Sequence, residues 1–277
     1  MVEGGVGAGG NISINAASLT LRDDAQLVTA TLRASDIQPA GQGNAGNVNL
    51  TVSGEVNITG DTDGFLSGIF SKVETGAVGD GGDITIDAGS FKLQRGSEIS
   101  SSIDGRGNAG NIKLSAKDDI FLSSGDIFSS VEAGGIGSVE AGGIDQGGNI
   151  DINAVSLILR DGAQIITATR SASDTQPAGK VYAGNVNLTV SGGVDIFAGK
   201  NGLPSRISSQ VETDTVGNAG NIIVDASYFR LQDGAQISTS TSGRGDAGDI
   251  KIITKETAVF SDNAAIFSTV EAGGVGK

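Results

Sequence analysis

Three pairs of carboxylates, Asp23-Asp24, Asp61 with Asp63, and Asp118-Asp119, are the residues of this 277-residue chain whose type and spacing could do chemistry. Two carboxyl groups set about 5–10 Å apart in a cleft can split a glycosidic bond, one as acid and one as base or nucleophile. Asp23, however, recurs as Asp161 and Asp233, each within an Arg/Gln-Asp-Asp/Gly-Ala-Gln turn. A catalytic acid is needed once, whereas a turn residue is needed in every copy. The expected role is therefore a solvated turn carboxylate. The chain has no His, which removes the commonest general base and metal ligand. It has no Cys, hence neither thiol chemistry nor a disulfide frame. Gly79-Asp80-Gly81-Gly82-Asp83 brushes once against the calcium-binding nonapeptide pattern, which would need tandem nine-residue units. The expectation is a non-enzyme with no catalytic, cofactor or metal site.

The copying extends over the whole chain. A small residue, Gly, Asn or Asp, then an aliphatic occurs eight times, with the Asx at Asn11, Asn47, Asp83, Asn111, Asn149, Asn185, Asn221 and Asp249. Successive spacings are 36, 36, 28, 38, 36, 36 and 28, and 149−11, 185−47, 221−83 and 249−111 all equal 138. A four-coil block is thus duplicated, as residues 11–148 and 149–277 of one solenoid, 1–277. Repeats of this length signal stacked architecture. Eight Asx at one corner could hold cations or form a structural ladder. The plainer reading is that the glycine takes positive φ and the Asx side chain bonds nearby backbone.

The elements that would position these residues are strands. Asp83-Ile84-Thr85-Ile86-Asp87-Ala88 alternates polar and apolar, the period of a half-buried strand. Phe91-Lys92-Leu93 alternates again, Gln94-Arg95-Gly96-Ser97 is a turn, and Ile99–Ile103 is a third strand before a Gly-rich loop. Three columns are aliphatic in all eight copies, headed by Ile12, Ile14 and Leu27. Strands that stack in register on copies of themselves are parallel, with backbone bonds running between coils. The expected fold is all-β: a right-handed, single-stranded parallel β-helix of about eight coils with three short strands each. The right hand is the default for parallel crossovers. At about 4.8 Å per coil the rod would be roughly 40 Å long.

Within the third strand, Thr29, Ser71, Ser101, Ser129, Thr167, Ser209, Thr239 and Ser268 form an inward hydroxyl column, expected to bond along the stack. Val28, Phe70, Phe128, Ile166 and Phe267 each follow an inward aliphatic and are expected to point outward. Apolar residues stacked outside on one face can mark a contact surface; a corner loop covering them is the competing reading. Ser100, also outward by alternation, is expected to accept a charge. Phe91 and Phe229 are core. Trp is absent and Tyr occurs only at 182 and 228, which is poor material for a sugar platform. Residues 32–43 and 170–181 carry one insertion and 60–68 and 198–206 another, both in corners.

Composition agrees. Gly is 45 of 277 but Pro only 3, against collagen and against a Pro-rich linker. The net charge of −14 disfavours nucleic acid and anionic membrane, which need clustered Lys and Arg. No apolar run approaches the ~20 residues of a membrane span. The first residues have neither basic nor apolar signal-peptide regions. Val270–Gly276, Val2–Gly7 and Val131–Gly137 read alike, so both ends read as inter-coil loops of a longer array.

One phrase resembles a known family. Gly-Asn-Ala-Gly-Asn-Ile, an alternating strand, Leu-Arg-Asp-Gly-Ala-Gln-Ile, a Ser/Thr-rich strand and Ser-Gly-Arg-Gly, best seen in residues 149–169 and 219–249, resemble the repeats of filamentous-haemagglutinin-like exoproteins, especially cyanobacterial ones. The resemblance covers nearly all of the chain. It implies a right-handed β-helix shaft, two-partner secretion through the outer membrane, a secreted or cell-surface location and a role in adhesion to a cell-surface or glycan receptor. A Cys-free chain suits passage across a membrane unfolded. The first functional expectation is therefore a non-catalytic structural and adhesive shaft segment. A filament subunit that self-associates end to end and a polysaccharide-processing β-helix enzyme are the alternatives.

Overall fold

The structure is a computed structural model that describes residues 5–35, 38–61, 66–131, 145–169, 181–199, 202–213, 215–271 and 274–276. Every regular element among these is a strand, and every pairing between named strands is parallel. The third strands form one eight-stranded sheet, visited in chain order. Its members run from Gln26–Thr31 and Gly68–Val73 to Gln236–Thr241 and Ala265–Val270. The first and second strands share an eleven-stranded sheet. The register matches the aliphatic columns, with Ile12 beside Val48, Val48 beside Ile84 and Ile84 beside Ile112. The architecture is thus all-β and solenoid-like, with one coil stacked on the next.

The core follows from the alternation. Val48, Leu50 and Val52 are buried while Asn49 and Thr51 between them are exposed. One hydrophobic cluster runs from Leu21 to Ile237 through both copies of the block. Several corresponding strands of the copies have the same bounds, as Val48–Thr59 and Val186–Phe197 show, whereas Ile112–Ala116 and Asp119–Ser123 correspond to the single strand Ile250–Phe260.

Three details depart from the expected coil. In five coils the first two strands are continuous, as in Ile84–Gln94, and turn the corner by a register shift rather than a break. The shift lies between Val52 and Glu55 and again between Val190 and Gly193. The Gly-rich loop is itself partly stacked: Val6, Gln42, Val78 and Arg106 make a chain of parallel bridges, as do Val216, Arg244 and Val275. Finally, Ser100 is not free to accept a charge. It is 3% exposed, and Ser208 at the equivalent position is 1% exposed.

Candidate functional site

The repeated polar residues are joined to the backbone of the next coil. Asn11 Oδ1 accepts the Asn47 N–H at 2.8 Å, Asn47 that of Asp83 at 2.8 Å, and Asp83 that of Asn111 at 2.7 Å. Asn111, Asn149, Asn185 and Asn221 continue the ladder to Asp249. The side chains therefore bond backbone one coil away, rather than their own turn. A second ladder lies three residues upstream. Asn44 accepts the Asp80 N–H at 2.9 Å, Asp80 that of Asn108 at 2.9 Å, and Asn218 that of Asp246 at 2.9 Å. The signal for it was in the sequence, as Asn or Asp at 44, 80, 108, 218 and 246. Asp80 and Asp83, the acids of the brief calcium-like stretch, both belong to these ladders. Among the described residues no group of three or more His, Cys, Asp or Glu could hold a metal ion.

Before every ladder residue except Asn11, the glycine is required for space and not for positive φ. A Cβ on Gly46 would lie 2.1 Å from the Gly10 carbonyl oxygen. The hydroxyl column uses this close approach. The Ser101 hydroxyl donates to the Gly82 carbonyl at 3.2 Å and accepts the Gly110 N–H at 2.9 Å. Thr29, Thr167 and Thr239 donate likewise to Gly46, Gly184 and Gly248 at 2.5, 2.5 and 2.6 Å. These bonds cross the interior from the third strand to the glycine corner, where bonding along the stack was expected.

Asp23, Asp161 and Asp233 all have positive φ, at 54°, 59° and 55°. Asp tolerates this left-handed region better than most residues, which explains its recurrence in the turn. Asp119 accepts the Ser156 hydroxyl at 2.7 Å, with the adjacent Asp118 exposed. Asp61 lies among the described residues and Asp63 outside them.

The outward apolar column is not one continuous surface. Val28 is 45% and Phe267 41% exposed, but Phe70 is 1% and Ile166 2% exposed, and Phe128 is half-buried. Phe70 folds back on its own strand: a Cβ on Gly68 would lie 2.7 Å from its ring, and Lys72 Nζ sits 4.1 Å from the ring centre. The expected contact surface is thus corrected to two separate exposed residues, Val28 on the first coil and Phe267 on the last.

One cluster differs between the two blocks. On the outer face of the second strands, Arg230 Nε donates to Asp195 Oδ1, and the guanidinium stacks 5.2 Å from the Tyr228 ring centre. The bonded carboxylate pushes Arg230 further above its ordinary pKa. The Tyr228 ring covers Gly193, where a Cβ would meet it at 1.9 Å. The first block has Glu55, Asn57, Ser90 and Lys92 at these positions, joined by a Glu55–Lys92 ion pair at 2.5 Å. Neighbouring outer positions hold Phe121, Ile158 and Phe197, all half-buried, with Arg160 5.2 Å from the Phe121 ring centre. Sequence reasoning missed this cluster because it followed what the copies share.

Two further features complete the surface. A groove of about 390 Å³ runs along the corner between first and second strands, lined by Asn15, Thr51, Ser53, Asp87, Ser115 and Lys117 over Val52, Ala88 and Ala116. On the third-strand face, Asp126 is pushed up to about 6, first by burial and then by the Glu98 carboxylate, with Arg206 and Gln164 opposing. No family model, no curated protein and no solved structure matches this chain.

Proposed function

We infer that this segment is a right-handed parallel β-helix, serving as a non-catalytic structural and adhesive shaft of a large secreted or cell-surface exoprotein. The observation that carries the reading is the use of the repeated polar side chains. Seven consecutive coil junctions each hold one ladder bond from Asx side chain to the next coil's backbone. The repeated hydroxyls bond glycine backbone inside the rod. The repeated Asx and hydroxyl side chains are thereby engaged in holding one coil to another and the third strand to the glycine corner. The right hand is the default for a parallel crossover. Repeats that contact only their neighbours give a rod whose length scales with their number.

Deletion of residues 11–148 tests the shaft reading. Four coils at about 4.8 Å each should shorten the particle by roughly 19 Å without widening it, as read by small-angle scattering. A particle that widens instead, or that no longer unfolds cooperatively, would count against a modular shaft. Incubation with neutral and acidic polysaccharides should release no new reducing or unsaturated ends. Turnover that disappears in Asp118→Asn would replace the shaft by the enzyme reading.

A further inference from the structure

The outer face of the second strands carries a column of unlike residues. In register it runs Asn57, Lys92, Phe121, Ile158, Asp195 and Arg230, from the second coil to the seventh. Each lies between two buried apolar neighbours, as Lys92 does between Phe91 and Leu93, and so projects from the side of the rod. Phe121 and Ile158 stand half-buried at the middle. Outward from them, one side presents Lys92 and then Glu55, joined as an ion pair. The other side presents Asp195 and then Arg230, joined as another. The order of charge is thus cation then anion on one side, and anion then cation on the other.

This face is neutral on an acidic rod. Over the same six coils the outward positions of the second strands hold three cations, Lys92, Arg160 and Arg230, and three carboxylates, Glu55, Asp119 and Asp195. The whole chain carries a net charge of −14. The features of the face arise where the two copies of the block diverge. The first-block equivalent of Ile158 is Thr20, that of Asp195 is Asn57 and that of Tyr228 is Ser90.

We propose that this face joins two copies of the chain, laid side by side with their long axes antiparallel. A two-fold axis along the strands, between the coils of Phe121 and Ile158, sets Phe121 against the partner's Ile158. It sets Lys92 against the partner's Asp195, and Glu55 beside the partner's Arg230. Opposite charges then alternate both along each rod and across the contact. The apolar pair lies at the centre with the charges around it, which is the usual anatomy of a specific interface. With the axes parallel, Lys92 would face the partner's Lys92 and Asp195 the partner's Asp195. Eight coils at about 4.8 Å and a strand of about five residues at about 3.3 Å give roughly 600 Å² per rod, or about 1,200 Å² for the pair, the lower limit for specific association. The contact is isologous, so it closes as a dimer. It goes beyond the shaft reading and needs only the strand register.

The test uses the full chain at about 0.15 M salt, where repulsion between the two acidic rods is screened beyond about 8 Å. Sedimentation should show a dimer that forms with rising protein concentration, and small-angle scattering a thicker particle of unchanged length. Lys92→Glu sets like charges across the contact and should weaken dimerisation roughly tenfold or more. Lys113→Glu makes the same change of net charge at an exposed site on the first-strand face, and should alter it by no more than about twofold. Cross-linking checks the direction, since the chain has no Cys of its own. Facing sheets lie about 10 Å apart, within reach of a short bis-maleimide. Thr59→Cys mixed with Gln232→Cys should cross-link, because the antiparallel arrangement sets these positions opposite each other. Thr59→Cys alone should not, its two copies being about 24 Å apart along the rod. A monomer at every concentration, a dimer of doubled length, equal weakening by Lys92→Glu and Lys113→Glu, or cross-linking of Thr59→Cys with itself as efficient as in the mixture would each overturn the proposal. A monomer that keeps its rod dimensions would do so without touching the shaft reading.

Discussion

The backbone N–H of Asp83 donates to the side-chain oxygen of Asn47 at 2.8 Å, across 36 residues of sequence. Each of the two residues belongs to a different coil, so the bond ties one turn of the solenoid to the next. Asn47→Ala removes the acceptor and should cost about 1–2 kcal/mol. Asn47→Asp keeps an acceptor oxygen, as Asp83 itself does for Asn111, and should melt within a few degrees of the wild type. Equal losses for both variants, measured by thermal unfolding, would contradict the ladder's role.

The hydroxyl column depends on space at the glycine corner. A Cβ on Gly110 would lie 2.2 Å from the Gly82 carbonyl oxygen, with backbone on the other side of the clash. Gly110→Ala should therefore cost on the order of 3 kcal/mol or more, near the upper end for a single substitution. Gly96→Ala, with open space around its Cβ but a φ of 73°, should cost about 1 kcal/mol from backbone strain alone. Denaturant midpoints of the two variants compare the effects directly.

Burial of a charge tests the core columns. Ile99 is 0% exposed, and Ile99→Asp should lose on the order of 4 kcal/mol through lost packing and carboxylate desolvation. Asn49→Asp, on the exposed side of its strand, should stay within about 0.5 kcal/mol. Ser100→Asp should fall between them at about 1–3 kcal/mol, because this outward position is covered.

Asp126 makes stability depend on pH in a defined window. Its folded pKa of about 6 lies above the unfolded value of 3.8, so the folded chain holds the proton more tightly. The stabilisation is fully present below about pH 4 and is lost as pH rises through 6, amounting to at most roughly 3 kcal/mol. Glu98, Gln164 and Arg206 are the groups that face it. Asp126→Asn removes the titration, so its melting temperature relative to wild type should climb between pH 4 and pH 7 and then level off. A difference that is flat with pH would remove Asp126 as the cause.

Tyr228 reports on the cluster that distinguishes the second block. Its ring covers Gly193, and Gly193→Ala should displace it from the Asp195–Arg230 pair. Quenching of tyrosine fluorescence by iodide should increase, while the melting temperature falls by only a few degrees because the displaced group is a side chain at the surface. Unchanged quenching would show that the ring does not rest on Gly193.

Period and copy number were legible in the sequence. Ile84, Ile86 and Ile99 each recur as an aliphatic at a fixed offset, and a position that is apolar in every copy can lie only inside a stack of copies. The ladder residues Asn11 to Asp249 and the turn acids Asp23, Asp161 and Asp233 were legible for the same reason. Tertiary structure decided what each of them bonds. Nothing local in Asn47 indicates that its partner is the N–H of Asp83, since that distance is set by the circumference of a coil. It also decided which outward residues are exposed. Phe70 and Phe267 obey the same alternation, yet one is 1% and the other 41% exposed, because cover depends on neighbouring coils that no period of two encodes. The Asp195–Arg230–Tyr228 cluster belongs to the same class: Tyr228 and Arg230 lie 33 and 35 residues from Asp195 and meet it only because adjacent coils bring them onto one face.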